Sequence, residues 1–393
     1  MPEILVKDQF FSDGSPMDGF MPSLAELDGF RLLTFQPIHG SDFYGDVHYS
    51  VGTEKPDVWS VPQAVEAFRR QTCGTPDITE AVVDVRSIAL RKSRRILAVG
   101  SSSFYTPRGC AFWNHSINRN SLPKQRAIYS FFNPESREWS HRGTIESVEC
   151  GECGDLRVAC AQMAEMADGT LVIPAYFATS EMIEFSGVQW PRQAVKTLLA
   201  KVPGDRLEVM AWSNTLTLGV KRGLLEPSVK QFNGKWFMTL RAEDSHAYVT
   251  TSPDALNWEN IAPWRWDDGE VLVTDSTQQH FIVLGDQLYL CYTRKDAANG
   301  MVPRFRAPLF IARVNEADLT LERRSEQIVF PLVFKDSIPN MQGNFHCIEL
   351  GRNSAAVADA ALYITPRTED KPAKYRSQLQ TAYLFAGEQV LQN

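Results

Sequence analysis

The sequence predicts an all-β chain folded as a six-bladed β-propeller of four-stranded antiparallel blades, with seven blades as the alternative count. Three observations predict it. The stretch Glu226–Arg241 reads as two apolar strands around Asn233-Gly234, with Val229, Gln231, Trp236, Met238 and Leu240 at the period of two that a half-buried strand requires. Such strand–turn–strand units recur along the chain, the sequence form of radially repeated sheets. The 22 Pro and 24 Gly supply many turns and oppose long helices.

Taken in order, Glu3–Phe10 is apolar enough to be a strand and is expected to pair into the last blade, closing the ring. The blades themselves are read at Phe20–Val65, Val82–Ile145, Leu156–Leu218, Glu226–Pro263, Gln279–Pro331 and Gly343–Leu384. Turns between first and second strands fall at Leu27-Asp-Gly-Phe, Ala167-Asp-Gly-Thr, Phe232-Asn-Gly-Lys, Leu284-Gly-Asp-Gln and Leu350-Gly-Arg-Asn, where glycine or asparagine supplies the positive backbone angle of a tight hairpin. Third strands are expected at Asp46–Tyr49, Ala127–Phe132, Lys196–Val202, Ala247–Ser252, Leu309–Val314 and Gln378–Leu384. Val61–Arg70 and Ala194–Val202 have some helical character, but Pro or Gly flanks both. Two long inserts, Tyr105–Lys124 and Thr179–Arg192, interrupt the second-to-third-strand connections of the second and third blades. They carry Tyr105, Phe112, Trp113, Phe185 and Trp190, rings that stack on sugar faces or cover a neighbouring blade.

Composition bounds the function. The whole of 1–393 is read as one propeller domain, and 44% hydrophobic residues with 9 Trp and 22 Phe suffice for a large core. The net charge of −7, with no basic run beyond Arg91-Lys-Ser-Arg-Arg95, argues against a nucleic-acid partner. No stretch reaches the roughly 18 apolar residues of a membrane span. The opening Met-Pro-Glu-Ile-Leu-Val-Lys lacks a signal-peptide pattern, so a cytoplasmic location is the default, and a secreted or periplasmic one follows if a leader has been removed. Seven cysteines include Cys150-Gly-Glu-Cys153, but without a second such pair or a clustered His they read as loop thiols before a disulfide or zinc site. No motif requires a metal or an organic cofactor.

Glu226 opens the first strand of its hairpin and Arg241 closes the second, so both fall at one open end, as a surface ion pair or as part of a pocket. With the repeats, these residues resemble the sialidase (neuraminidase) superfamily of six-bladed propellers. Ser252-Pro-Asp-Ala-Leu-Asn-Trp258 is similar to a shortened form of that family's Asp-box turn, and Gly52–Trp59 and Phe132–Trp139 keep its terminal Trp. The resemblance implies that Arg241 and Arg306, the latter in Arg306-Ala-Pro-Leu-Phe-Ile-Ala312, belong to an arginine trio that clamps a substrate carboxylate through paired hydrogen bonds. It implies that Glu226 supports a nucleophilic Tyr, that Asp46 is the acid/base, and that Gln162 and Tyr176 of the third blade contact substrate. Two places depart from the pattern. Met21 stands where the first-blade Arg belongs, and Phe345 where the Tyr belongs, so the covalent sialidase route is not expected.

Histidine is the alternative source of acid/base chemistry. His39, His280 and His346 are each expected where a strand meets the pocket end, with Arg294 on the same rim, and an imidazole titrates near neutral pH. His48 and His246 are read as lining or packing residues, His115 and His141 as loop residues. The expected activity is an exo-acting glycoside hydrolase on an anionic or deoxy sugar of an oligosaccharide or polysaccharide. A lyase cleaving uronate-linked glycans by β-elimination, and a non-catalytic glycan-binding propeller, are the other readings.

Overall fold

A computed structural model describes residues 1–73, 75–113, 117, 121–145, 154–185, 187–368 and 371–387. Cys150, Cys153 and His115 lie outside the described residues. Strands dominate; among the described residues helix is limited to short 3-10 turns such as Glu66–Phe68, all that forms of the helical character around 61–70. Among the described residues no helix is long and apolar enough to cross a membrane.

The sheets follow the chain in order. The first holds Phe20–Leu27, Phe30–Gln36, His48–Val51 and Gln63–Ala64. The second centres on Thr75–Leu90, Arg95–Thr106 and Ala127–Asn133, and the third on Leu171–Phe185, Val188–Lys201 and Glu208–Trp212 with Leu156–Arg157 and Ala164–Glu165 on its inner edge. The fourth is Leu225–Phe232, Lys235–Arg241, Ala247–Ser252 and Glu259–Pro263. The fifth runs His280–Leu284, Gln287–Tyr292, Leu309–Asn315 and Gln327–Phe330. The last is His346–Gly351, Ser354–Thr365 and Lys374–Phe385, completed by Glu3–Asp8, which pairs antiparallel from Glu3 opposite Phe385 to Asp8 opposite Gln380.

Each sheet packs on the next through the inward face of its alternating pattern. Leu32 and Tyr49 of the first meet Ile96 and Phe132 of the second, and Leu97 and Tyr129 meet Ile173 and Leu198 of the third. Val172 and Val195 pack on Val229 and Met238; Phe237 and Val249 pack on Phe281 and Phe310. Ile282 and Ile311 meet Val357 and Ala382, whose sheet turns its other face, Ala356 and Leu362, onto Phe20 and Leu33 of the first. The arrangement is β-propeller-like, with apolar layers between neighbouring sheets and the N-terminal strand tying the chain's two ends together.

Two details differ from the sequence reading. The insert at 179–192 is not an irregular loop: it prolongs Leu171–Phe185 and Val188–Lys201 into one long hairpin, with Ile183 opposite Trp190. The third strand of the first sheet starts at His48, so Asp46 precedes it. Around Ser252, Asp254 accepts from the Leu256 and Asn257 amides (2.9 and 2.8 Å) and from Ser252 Oγ (3.0 Å), while buried Trp258 donates to Thr197 Oγ1 (2.9 Å). Burial would raise the Asp254 carboxyl, but those amide donors outweigh it and hold it at about 2.

Candidate functional site

A cavity of about 430 Å³ opens where the innermost strands of the sheets begin. Six positions two residues upstream of buried polar side chains form its floor: Met21, Asp84, Cys160, Glu226, Gln278 and Asn344. The polar residue two places on is Ser23, Arg86, Gln162, Ser228, His280 or His346, and every one is buried. In an extended strand, residues i and i+2 share a face, so a pocket residue and an axial residue are stacked in each sheet. Met21, Asp84, Cys160 and Glu226 all have positive φ (53°, 56°, 53° and 44°). The strand register shifts beside Met21, Asp84 and Glu226. Such bulges re-aim a side chain and hold backbone strain at a site.

The lower ring is a hydrogen-bonded layer in which His280 Nε2 and Arg86 Nε are left without a hydrogen-bond partner among the described residues. Ser228 Oγ meets His280 Nδ1 at 2.9 Å, and Ser23 Oγ meets His346 Nδ1 at 3.3 Å. Gln162 exchanges hydrogen bonds with the Phe281 backbone (2.7 and 2.8 Å). Arg86 donates to Gln278 Oε1 and to the Asn344 carbonyl, both at 3.2 Å.

On the floor and wall, Arg241 Nη1 donates to Glu226 Oε1, and its Nε donates to Ser276 Oγ at 2.6 Å. Ser276 donates on to Glu243 Oε1 at 3.3 Å, and Arg222 Nε donates to Glu243 Oε2 at 2.9 Å. The Arg222 guanidinium also lies over the rings of Phe185 (4.8 Å) and Trp190 (5.5 Å), which joins the long hairpin to this network. Burial opposes the charge on Arg241, but Glu226 and Glu243 outweigh it and keep the guanidinium firmly protonated. Arg306 differs. It donates to Asn344 Oδ1 at 3.1 Å, its Nε has no hydrogen-bond partner, and it makes no ion pair among the described residues. Burial and the neighbouring Arg304 and Arg241 lower its pKa, so it is a cation short of a counter-charge.

Asp84 is the acid that sequence reading missed. Partly open to the cavity, it is pushed up to about 7 by burial and by the nearby Glu226 charge, with Arg86 pulling the other way. The signal was an Asp and an Arg interrupting the apolar run Val82-Val83-Asp84-Val85-Arg86. Asp42, which accepts from Tyr44 Oη at 3.2 Å, lines the cavity from the connection between Gln36 and His48.

The structure brings together Glu226, Arg241, Arg306 and Tyr176, the last with the Arg157 guanidinium 5.5 Å over its ring. The other expected site residues lie elsewhere. Asp46 points outward to Arg70 (2.9 Å), because the strand begins two residues later and turns it away from the cavity. His39 is exposed, with its ring edge on Phe43. His280 and His346 sit in the lower ring, where burial and the Arg86 charge hold their pKa values down, that of His346 to about 3. Arg294 is clamped by Glu326 (2.8 and 2.6 Å) and Asp296 (3.0 Å) and packs on Phe310. Gln162 stitches two sheets as described, and Phe345 is wholly buried against His280. Asn344, not Phe345, faces the cavity.

No protein-family model matches the chain, and no curated protein matches it in sequence. Solved structures do match. A Dyadobacter fermentans protein of unknown function superposes with a TM-score of 0.62 at 12% identity, over 97% of this chain and 99% of that one. A Hadza microbial sialidase matches at TM-score 0.59 and 14% identity, over 93% of this chain and 66% of its own. The sialidase of Trypanosoma rangeli in complex with the inhibitor DANA matches at 0.59 and 12%, over 99% of this chain and 60% of its own. The fold is that of a sialidase-like β-propeller.

Proposed function

We propose that this protein is a six-bladed, sialidase-like glycoside hydrolase acting on an anionic sugar at the end of a glycan. One observation carries the reading. A counter-charge-poor Arg306, a firmly ionised Arg241 and an acid held at about 7, Asp84, line one cavity. The sheets packing in sequence, last onto first, support six blades, and the sialidase neighbours support glycan chemistry.

In this reading a carboxylate of the substrate lies on Arg306, whose planar fork suits it, with the charge of Arg241 behind it. Asp84, half protonated near neutral pH, gives its proton to the leaving oxygen as the glycosidic bond breaks. Asp42, at the cavity mouth, takes a proton from the attacking water. Glu226 has Arg241 as its partner, with Asn344 rather than a hydroxyl at the last-sheet position, so water attacks the anomeric carbon directly.

The test is a panel of uronate- and sialate-terminated oligosaccharides, read for new reducing ends and for ultraviolet-absorbing unsaturated products. New reducing ends that disappear in Asp84→Asn support hydrolysis. An unsaturated uronate transfers the assignment to a lyase, and binding without turnover transfers it to a glycan-binding propeller.

A further inference from the structure

We infer that the sugar this pocket takes carries a hydrocarbon substituent, a methyl ether or a ring-borne methyl, directed away from its charge. The inference rests on the anionic-sugar reading above and deepens it. The cavity has two unlike walls. The third to fifth sheets supply Arg157, Arg222, Glu226, Arg241, Glu243 and Arg306. Beside Asn344 and Tyr375, the sixth and first supply an apolar patch of Met341, Leu362, Ile364, Phe20 and Met21. Since the sheets follow one another around the axis, Arg157, Arg222 and Arg241 lie across the cavity from this apolar patch, while Arg306 reaches Asn344 of the sixth sheet (3.1 Å) and sits between the two.

The apolar wall is built, not incidental. Phe20, Met21 and Leu362 belong to one buried cluster, and Met341 and Ile364 pack against it. Met341 and Leu362 exchange backbone hydrogen bonds (2.7 and 2.9 Å), which fixes that side. Met21 reaches the floor from a φ of 53°, an uncommon conformation for a residue that is neither Gly nor Asn. Strained backbone here positions a thioether.

None of these side chains donates or accepts a strong hydrogen bond. A sugar hydroxyl pressed against them loses its water without replacement, as does the carbonyl of an acyl group, and either loss is unfavourable. A methyl group has nothing to lose and gains by burial. Asp42 and Asp84 line the cavity beside the wall.

The experiment is titration calorimetry with methyl glucuronides and galacturonides, each with free hydroxyls or with a methyl ether at O2 or O3. The expected result is that one ether binds about fourfold or more tightly than its parent, the gain from one buried methyl. Ile364→Ser, at a half-buried position, and Met21→Asn should each erase that gain, read as the ratio of ether to parent affinity on the same variant; a thermal melt of each variant checks its fold, and Ile364→Ser alone suffices should Met21→Asn unfold. Equal binding of ethers and parents overturns the inference while leaving the anionic-sugar reading intact. A methyl-dependent gain that survives Arg306→Ala, with affinity unchanged by that mutation, keeps the apolar wall and defeats the anionic reading. Absence of binding by every probe to millimolar concentration overturns both.

Discussion

Arg241 donates to Glu226 across the open end of a single hairpin, where Leu225 pairs with Arg241 and the register then shifts. That shift, with the φ of 44° at Glu226, turns the carboxylate inward and lets two residues fifteen apart in sequence meet at the floor of the cavity. Both side chains are largely buried, at 9% and 15% exposure, so neither charge is cheaply left alone.

Arg241→Ala is therefore expected to do two things at once. It leaves the Glu226 carboxylate buried without its cation, costing roughly 3 kcal/mol in a denaturant melt. It also weakens binding of an anionic sugar by tenfold or more. Arg241→Ala together with Glu226→Ala should recover much of the stability and none of the affinity. A single mutant with unchanged affinity removes Arg241 from the site.

Arg306→Ala separates binding from stability. Arg306 has no ion pair to lose among the described residues, and it is half-buried with its Nε unpartnered. Its removal should change the melting temperature little while reducing anionic-sugar affinity by about tenfold or more, the worth of a charge-assisted hydrogen bond. Arg294→Ala is the control. It breaks a bidentate pair with Glu326 and should destabilise the fifth sheet without altering affinity.

Much of the frame was legible because turns and periodicity are local. Asn233-Gly234, Asp168-Gly169 and Asp28-Gly29 each form the tight turn that their backbone freedom suggests. The pocket end of the fourth sheet was legible for the same reason: hairpin geometry alone places Glu226 beside Arg241. The histidines were misread because the pattern of a strand does not say how far along the axis the cavity reaches. His280 and His346 are two residues beyond Gln278 and Asn344, one step further down the axis, and that step exchanges cavity for core. Asp46 was misread through a two-residue error in where its strand begins. Asp84 was passed over because its bulge, which turns it into the cavity, has no glycine or proline to mark it.

Four buried groups make stability depend on pH in opposite directions. Asp84 and Asp359 are each raised to about 7, chiefly by burial. Between about pH 4 and 7 the folded protein holds protons that the unfolded chain has lost, so these two groups make stability fall as pH rises. His280 and His346 are lowered by burial, so below about pH 6.5 the unfolded chain takes up protons that the fold refuses, and stability falls as pH drops. Asp84→Asn isolates one contribution. The variant should match the wild type at pH 4, where both side chains are neutral. At pH 8 it should be more stable, by at most about 4 kcal/mol at about 1.4 kcal/mol per pH unit, while losing turnover. Equal melting temperatures at pH 8 would show that Asp84 ionises without penalty and is no proton donor near neutrality.

On the proposed reading, the sialidase-like shape is not expected to extend to ordinary sialidase chemistry. The covalent route of the resembled family takes its nucleophile from the last sheet beside a supporting carboxylate, and here Glu226 is paired with Arg241 while the last sheet offers Asn344 to the cavity and buries Phe345. The first-sheet floor position that a third arginine would occupy holds Met21. Loss of a positioned nucleophile costs several orders of magnitude in rate, more than residual binding restores. Release of 4-methylumbelliferone from its α-sialoside is therefore expected to be negligible from about pH 4 to 8, the span over which carboxylates and imidazoles titrate. On the true substrate, His39→Ala should retain full turnover, since that ring is exposed and meets Phe43 outside the cavity. His346→Gln should reduce stability through its Ser23 contact and leave the pH–rate profile where it was, because a ring held neutral to about pH 3 has no proton to trade at working pH. Robust sialoside turnover would place a nucleophile in this cavity that Glu226 does not serve. A pH–rate profile displaced in His346→Gln would return the acid/base role to the lower ring.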